Sequence, residues 1–369
     1  MPVQHFPFAL RHALPALLLA LALFSCLDEI DLNQGAALPE GIVLQGRINA
    51  GAPSDVRIRL ERLFRFENSN RPDQVANATV VLENSEGQTL SLPFRDGAYR
   101  ATIPAGDPDF LVAPGLGYRV RVATREGEAY ETDFDVLPAP LAPDGASGEP
   151  STVTRLNAAG DEIMVPGFAY NISGPIRYPD GSPAFIRWTL EQTWKVTDEP
   201  GIFPFNENDP KVCYVTQPFE GNDLFLLNSL DVPANRVDNF PLAAQARDFR
   251  YAEGNVMTIY QEALSRAAYE YFDQVRRIAS TESSIFEPPG GPIVGNARDV
   301  NGLTSNVFGF FYATSRSEVR VPISPAQADN PGRFCPLVRS PSPNPQPNSC
   351  DDCLRIEGSE LPRPVWFPF

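Results

Sequence analysis

Histidine is nearly absent from this chain of 369 residues, since His5 and His12 are the only two and both lie near the N-terminus. If the N-terminal segment that contains them is cleaved off as a signal peptide, the remaining chain contains no imidazole. It can then form no Ser-His-Asp triad, no Cys-His pair, no His-ligated zinc and no histidine pH switch. An enzyme would need carboxylates, tyrosine or a Ser-Lys arrangement instead. We therefore expect a protein that is not an enzyme and that uses no cofactor or metal.

Lysine is equally scarce, because Lys195 and Lys211 are the only two and all other bases are arginines. In total 30 bases stand against 46 acids. Residues 1–25 contain one arginine and no acid, so without them 29 bases remain and the net charge is −17. Nucleic acids and anionic lipid head groups favour basic surfaces. We expect no nucleic-acid partner.

The chain also lacks an apolar run long enough to span a membrane. A spanning helix needs about 20 apolar residues, whereas the run from Ala13 to Phe24 has roughly half that length and contains Pro15. A short apolar run close to the N-terminus is typical of a secretory signal. We predict that residues 1–25 are a signal peptide.

The end of this run resembles the processing site of a bacterial lipoprotein. Leu23 to Cys26 reads Leu-Phe-Ser-Cys, which is similar to a lipobox, the motif that directs diacylglycerol to its cysteine. Phe24 is bulkier than the residue usual there, and the alternative is an ordinary signal followed by a free cysteine. Each buried acyl methylene contributes about 0.8 kcal/mol, so two or three chains hold a protein stably on a membrane. We predict lipid attachment, for example of palmitate, at Cys26.

An acidic cluster follows directly, formed by Asp28, Glu29 and Asp31. It resembles the surface-export signal of lipoproteins in the Bacteroidota. Residues 26–40 are therefore expected to be an acidic tether. We expect the protein on the outer membrane, anchored by lipid and facing the cell exterior; a periplasmic face is the alternative.

The other four cysteines are Cys213, Cys335, Cys350 and Cys353, an even number in an exported chain. Such a count predicts two disulfides, and the sequence leaves all three pairings open. The alternative is a four-thiolate zinc site, which normally has two CxxC knuckles, whereas only Cys350 to Cys353 has that spacing.

The first half of the mature chain, residues 41–137, has the pattern of a β-sandwich. Short segments alternate apolar and polar residues, as strands with one buried face do, and glycine-bearing turns separate them. Seven such strands suit an immunoglobulin-like or transthyretin-like sandwich. The expected strands are 42–48, 56–60, 79–83, 89–94, 98–103, 118–124 and 129–136.

The second half is also expected to be rich in strands. Residues 138–150 contain many prolines and glycines and are predicted to be a linker. A β-rich domain at 151–334 should follow, with one amphipathic helix at about 266–279 that Ser265 caps. A proline-rich tail, 335–369, should be held by the disulfides. The predicted strands here are 185–194, 212–215, 255–264 and 306–313.

Three groups of residues are candidate sites, and each has an ordinary structural alternative. Aromatic residues could stack on a sugar ring or form core, pairs of carboxylates could serve a glycosidase, and residues 205–210 could bind calcium or form a solvated turn. The sequence favours core for the aromatic residues and a solvated turn for residues 205–210. Because the chain has 46 acids, two carboxylates that look like a glycosidase pair are easily found by chance. The aromatic set is Trp188, Trp194, Tyr251, Tyr260, Tyr269, Tyr271 and Phe272.

Several stretches of the chain carry a family resemblance: Cys26 with its acidic cluster, 78–80 with Gly87, 97–99, Trp188 with Trp194, Cys213, 250–251, 268–272, 284–289, 295–296, 307–311, 350–353 and 364–366. Together they resemble the Bacteroidota lipoproteins that share domain of unknown function 4249. One departure is Tyr214, where the family is expected to favour tryptophan.

The resemblance implies a surface lipoprotein that assists a TonB-dependent outer-membrane receptor in capturing or admitting a nutrient, and it leaves the ligand unknown. It brings no catalytic residue, and function inferred in this way rests on analogy. A structural or adhesive surface protein and a carboxylate-based glycan hydrolase are the alternative functions.

Overall fold

The computed structural model describes residues 41–63, 73–157, 159–199, 210–219, 224–280, 293–302, 306–335 and 348–369. The predicted signal peptide, Cys26 and the acidic cluster Asp28, Glu29 and Asp31 lie outside the described residues. So do residues 205–209 of the calcium candidate and residues 336–347 of the proline-rich tail. Among the described residues, no helix is both long and apolar enough to cross a membrane.

The described chain is mostly β-structure, as the sequence predicts. The strands are β1 (Ile42–Ala50), β2 (Ser54–Arg62), β3 (Thr79–Asn84), β4 (Thr89–Leu92), β5 (Phe94–Arg95), β6 (Ala98–Ile103), β7 (Gly117–Ala123), β8 (Ala129–Thr132), β9 (Asp135–Val136), β10 (Gly145–Leu156), β11 (Glu162–Pro175), β12 (Phe185–Thr197), β13 (Val212–Pro218), β14 (Phe225–Asn228), β15 (Arg236–Ala246), β16 (Asn255–Leu264), β17 (Ala297–Asp299), β18 (Val307–Phe308), β19 (Phe311–Ile323) and β20 (Ser359–Glu360). The helix α1 is Arg266–Ser280, and 3-10 turns lie at Ser229–Asp231, Phe249–Tyr251, Asn348–Cys350 and Cys353–Arg355.

One large sheet of eleven strands runs through both halves of the described chain, in the order β20-β13-β12-β16-β19-β1-β2-β6-β5 with β14 and β18 at its sides. Its centre is the pairing of β1 with β19, which is parallel and sets Arg47 opposite Tyr312. A strand from the predicted range 41–137 thus lies beside one from 151–334. Sequence periodicity shows which face of a strand is buried but not which distant strand lies next to it.

The first hydrophobic core lies between the β1-β2-β6-β5 part of the large sheet and a sheet of six strands, β17-β8-β7-β3-β4 with β9. Strand β2 shows the expected alternation, since Val56, Ile58 and Leu60 are buried while the residues between them are exposed. This arrangement confirms a sandwich-like fold. The six-stranded sheet also takes β17 from the second half of the chain.

A second core lies between the β12-β16-β19 part of the large sheet and a sheet of three strands, β10-β11-β15. Trp188 is 2% exposed at its centre, where its indole N–H donates to Gln261 at 2.8 Å. In β19 the odd-numbered residues Phe311 and Val321 enter the first and the second core, respectively. The small sheets therefore cover one face of the large sheet, and the opposite face remains for other elements.

Strand β10 begins at Gly145, inside the range 138–150 that the sequence assigns to a linker. Its proline and glycine residues lower its β-propensity, but β10 is an edge strand, where proline is tolerated. It pairs with β11 along its whole length, whereas β15 pairs with β11 only from Gly167 onwards. Residues 151–157 and 159–166 therefore belong to a two-stranded hairpin.

Helix α1 begins where Ser265 caps it, as predicted, because the Ser265 hydroxyl accepts a hydrogen bond from the Ala268 N–H at 3.0 Å. The helix packs on the free face of the large sheet through Ala268, Tyr271 and Phe272. Ile278, which fits the predicted apolar stripe, is 42% exposed. The helix thus covers the sheet with its first three turns.

The two disulfides are Cys213–Cys353 and Cys335–Cys350. All four cysteines are buried in a small cluster with Trp194 beside β12 and β13. Strand β20 extends the large sheet by pairing with β13. The described part of the tail is therefore joined to the sheet both covalently and by hydrogen bonds.

The two disulfides should differ in their contribution to stability. Cys213–Cys353 spans 140 residues and Cys335–Cys350 spans 15, while all four side chains are similarly buried. Loop-closure entropy then makes the loss in the C213A/C353A variant larger than that in C335A/C350A by about 2 kcal/mol. Urea denaturation of both variants checks this difference, and an equal loss would contradict it.

Candidate ligand-binding pocket

A cavity of about 400 Å³ opens between α1 and the free face of the large sheet. Strands β1, β2, β12 and β19 form its floor, and one side of α1 forms its wall. The residues that line it are Gln45, Gly46, Arg47, Arg57, Arg59, Arg187, Leu224, Tyr271, Phe272, Val275, Phe310 and Tyr312. We call this cavity the helix pocket. It combines four arginines with four aromatic rings in an acidic protein.

The arginines of the pocket lie side by side because of strand register. Arg57 of β2 is directly opposite Arg47 of β1 on one side and Arg100 of β6 on the other. Like charges directly opposite each other on neighbouring strands destabilise a sheet. Arg57 and Arg59 are exposed, and no carboxylate of the described residues lies within ion-pair distance of either. The pocket therefore has positive charge that the described protein leaves without a counter-ion in contact.

Burial and the neighbouring arginines both act on the charge of Arg57. Burial lowers the pKa of its guanidinium, and repulsion from Arg100, Arg59 and Arg47 lowers it further, while Asp55 partly offsets the effect. Arginine stays charged in proteins even so. An anion placed at Arg57 would therefore relieve repulsion that is already present in the fold.

A buried carboxylate holds the floor of the pocket. Glu262 is completely buried, and its two oxygens lie 2.7 Å from an Nη atom of Arg187 and 3.4 Å from one of Arg47. The contact with Arg187 is an ion pair without the angle of a hydrogen bond, since that carboxylate oxygen accepts none. Arg187 is directly opposite Glu262 across β12 and β16, so the register of the sheet sets this contact.

Aromatic rings enclose Arg187 and extend the apolar side of the pocket. The Arg187 guanidinium lies 4.1 Å from the centre of the Phe272 ring and donates to the Tyr312 hydroxyl at 2.9 Å. Burial, and then the charge of Glu262, raise the pKa of Tyr312, which keeps its phenol neutral. Tyr271 stacks on Phe310 with ring centres 4.6 Å apart. Two chemically different sides, cationic and aromatic, thus face one cavity.

The chemistry available here is recognition of an anion. Guanidinium groups bind carboxylates and phosphates through two parallel hydrogen bonds, and aromatic faces accept planar groups. None of the residues that line the pocket is Asp or Glu, so it contains no carboxylate pair for a glycosidase. Among the described residues, no group of three or more His, Cys, Asp or Glu is placed to hold a metal ion.

A second buried carboxylate joins the first sandwich to α1. Asp135 of β9 accepts hydrogen bonds from the hydroxyl of Ser265, the helix cap, and from the backbone N–H of Ala313, the latter at 2.8 Å. Burial raises the pKa of Asp135 to about 6, although both hydrogen bonds oppose the shift. The start of the helix, and with it one side of the pocket, is therefore positioned by the first half of the chain.

The aromatic residues proposed from the sequence do not form one platform. Trp188, Trp194 and Tyr251 are buried at 3% exposure or less in the hydrophobic clusters and serve as core. Of the set, only Tyr271 and Phe272 line the helix pocket. The four cysteines are brought together in two disulfides away from it. The structure therefore supports the core interpretation for the tryptophans.

Sequence reasoning missed the arginines of the pocket. Arg57 and Arg59 occupy alternate positions in β2, and Arg47 occupies an outward position in β1. That spacing does place them on one face, because side chains two apart in a strand point the same way. Alternation of this kind identifies the buried face of a strand, but it does not show that the exposed arginines line a cavity. Glu262 carries no comparable signal, since its contact with Arg187 depends on strand register.

The comparison with known families adds one finding. The family model described as Domain of unknown function (DUF4249) matches residues 28–320. The chain belongs to this family. The matched range contains every residue that lines the helix pocket, and it ends before Cys335, Cys350 and Cys353. No curated protein and no solved structure matches the chain. The DUF4249 match thus supports the family resemblance without assigning a ligand.

The buried ion pair should be costly to break. In Glu262→Gln the neutral amide leaves the Arg187 charge buried without its carboxylate, which should lower the free energy of unfolding by about 3 kcal/mol. Glu318→Gln is the matched control, because the Glu318 carboxylate is 42% exposed beside Arg320, where an ion pair contributes less than about 1 kcal/mol. Urea denaturation of both variants measures the difference. Equal losses would show that Glu262 does not hold the arginines.

Asp135 should make stability depend on pH. Its pKa in the folded protein, about 6, lies above the ordinary 3.8, so its contribution is greatest in acid and is lost as pH rises through 6. Relative to Asp135→Asn, which does not titrate, the free energy of unfolding of the natural protein should fall by up to about 3 kcal/mol from pH 4 to pH 7. Denaturation of both proteins across that range checks this. A difference that is constant with pH would contradict it.

Proposed function

We propose that this protein is a surface-exposed outer-membrane lipoprotein that serves a TonB-dependent receptor as a non-enzymatic accessory in nutrient capture or uptake. It holds its ligand in the helix pocket. The observation that carries the binding part of the proposal is the exposed pair Arg57 and Arg59, which has no carboxylate partner among the described residues and lines a cavity together with aromatic rings. Unpaired cations beside aromatic rings suit ligand binding.

The tether supports the placement on a membrane. Fifteen residues separate the predicted lipid at Cys26 from the first strand, which begins at Ile42. Fully extended, such a tether reaches about 50 Å, which is enough to hold the folded part clear of the lipid head groups. The predicted acyl chains anchor the N-terminus, and the acidic mature chain does not bind an anionic membrane surface by its charge.

Catalysis has less support than binding. The mature sequence has no histidine, and no acid lines the helix pocket. A hydrolase built on two carboxylates would need both groups in one cleft, about 5 to 10 Å apart. Glu262 is buried behind Arg187 and Arg47 and is in contact with both, which leaves it no access to a substrate.

A structural or adhesive surface protein is the second candidate, and the β10–β11 hairpin favours it. Leu156 and Met164 near its free end are 66% and 71% exposed. Large apolar side chains at the end of a projecting hairpin are suited to contact with another macromolecule. The same surface could contact a receptor, so the hairpin is compatible with both candidates.

The proposal predicts a complex with a barrel receptor. The tagged natural protein, extracted from its own cells in gentle detergent, should co-purify with a TonB-dependent barrel in a constant ratio, which mass spectrometry of the eluate measures. Cys26→Ala is the matched control, because it should lose incorporation of labelled palmitate and leave the membrane fraction. Recovery of the natural protein alone would contradict the accessory role, and palmitate labelling of Cys26→Ala would contradict the anchor.

A further inference from the structure

We infer that the helix pocket binds a small organic polyanion with a planar apolar body, whose negative groups lie on Arg57 and Arg59 and whose body lies against Tyr271 and Phe310. The inference rests on the proposed function only in taking this pocket as the ligand site. It adds the chemical class of the ligand. Carboxylate and phosphate groups share the required chemistry, and the probes below separate them.

The charge of the pocket sets the minimum charge of the ligand. Four arginines line the cavity, and Glu262 is in contact with two of them, Arg47 and Arg187. Arg57 and Arg59 remain without a contacting carboxylate among the described residues. Two guanidinium groups are matched by a ligand with at least two negative charges. A chain of net charge −16 would otherwise repel such a ligand, so local compensation is needed.

The aromatic side of the pocket sets the shape of the ligand. Tyr271 and Phe310 stack on each other, with ring centres 4.6 Å apart and an angle of 23° between their planes, and the pair forms the apolar side of the cavity beside the arginines. Planar groups gain more from such a surface than spherical inorganic anions do. The volume of about 400 Å³ suits a small molecule rather than a polymer. These features together favour an aromatic or conjugated acid over free phosphate.

The pocket is also prepared to receive the ligand. The register of β1, β2 and β6 places Arg47, Arg57 and Arg100 side by side. Glu262 and the Phe272 ring hold Arg187. Repulsion among the neighbouring arginines is present before any ligand binds. Binding therefore needs little rearrangement of the floor, and it removes an unfavourable interaction that the empty pocket contains.

Titration calorimetry of the full mature protein with four probes tests the inference. Benzenetricarboxylate has both charge and a ring, propanetricarboxylate has the charge alone, benzamide has the ring alone, and pyrophosphate is a compact polyanion. We expect benzenetricarboxylate to bind at least about tenfold more tightly than each of the others. Its affinity should fall as salt is raised, because the arginines are partly exposed. Equal or tighter binding of propanetricarboxylate or pyrophosphate would overturn the requirement for a planar body.

Variants of the arginines locate the binding site. Arg57→Gln and Arg59→Gln should each weaken binding of benzenetricarboxylate about tenfold, since each removes a charge-assisted contact. Both residues are exposed on the sheet, so the variants should fold. Arg125→Gln is the matched control, because Arg125 is an exposed arginine in the turn between β7 and β8. Unchanged affinity in both pocket variants, or an equal loss in the control, would overturn the assignment.

Variants of Tyr271 test the aromatic contact in the same assay. Tyr271→Phe keeps the ring and should bind benzenetricarboxylate as the natural protein does, whereas Tyr271→Ala should bind it more weakly and lose its preference over propanetricarboxylate. Retention of the preference in Tyr271→Ala would overturn the stacking. These results do not depend on the receptor: co-purification without probe binding refutes the ligand class alone, and probe binding without co-purification refutes the accessory role alone.

Discussion

The parallel pairing of β1 with β19 is the contact on which the rest of the structure depends. It joins the first and the last long strands of the described chain and makes one sheet of eleven strands from two halves. Because the two smaller sheets cover the same face of that sheet, the other face is left for α1 and the arginines. The helix pocket therefore exists only where both halves of the chain meet, with Arg57 from the first and Arg187 from the second.

The four arginines of the pocket fall into two pairs, one held by a carboxylate of the protein and one available to a ligand. Glu262 is buried and in contact with Arg187 and Arg47, which keeps two of the four cations in fixed positions. Arg57 and Arg59 have no such partner among the described residues, and their repulsion is tolerated because their side chains reach solvent. A protein selected for stability alone would place an acid opposite Arg57, since a cross-strand ion pair is the favourable choice. The unpaired Arg57 and Arg59 are the basis of the proposed binding role.

Much of the fold follows from the sequence, because strands with one buried face leave a period-two pattern. Strands β2, β6 and β16 and helix α1 with its Ser265 cap agree closely with prediction. Strand β10 was missed because Pro150 and its glycines are typical of linkers, and only its position at a sheet edge makes them acceptable. The pairing of the four cysteines could not be predicted either, because spacing along the chain does not determine which distant segments meet.

The candidate site was harder to predict from the sequence than the fold. Tyr271 and Phe272 could be named from helix spacing, but their partners Phe310 and Tyr312 lie on β19 or just before it, and Arg187 comes from β12. The register of a large mixed sheet brings them together, and single-sequence patterns contain no register between distant strands. The predicted lipid anchor is the opposite case. Its motif is local and can be read from the sequence alone, but Cys26 lies outside the described residues, so the anchor stays a prediction.

The central claim is that Arg57 and Arg59 hold the ligand of this DUF4249 protein. The most direct test is to purify the protein from its own cells, denature it and identify the released small molecules by mass spectrometry. We expect the natural protein to release an organic polyanion and the Arg57→Gln/Arg59→Gln variant, purified in parallel, to release far less of it. The same compounds in equal amounts from both proteins, or a released ligand without negative charge, would show that these arginines do not hold the ligand.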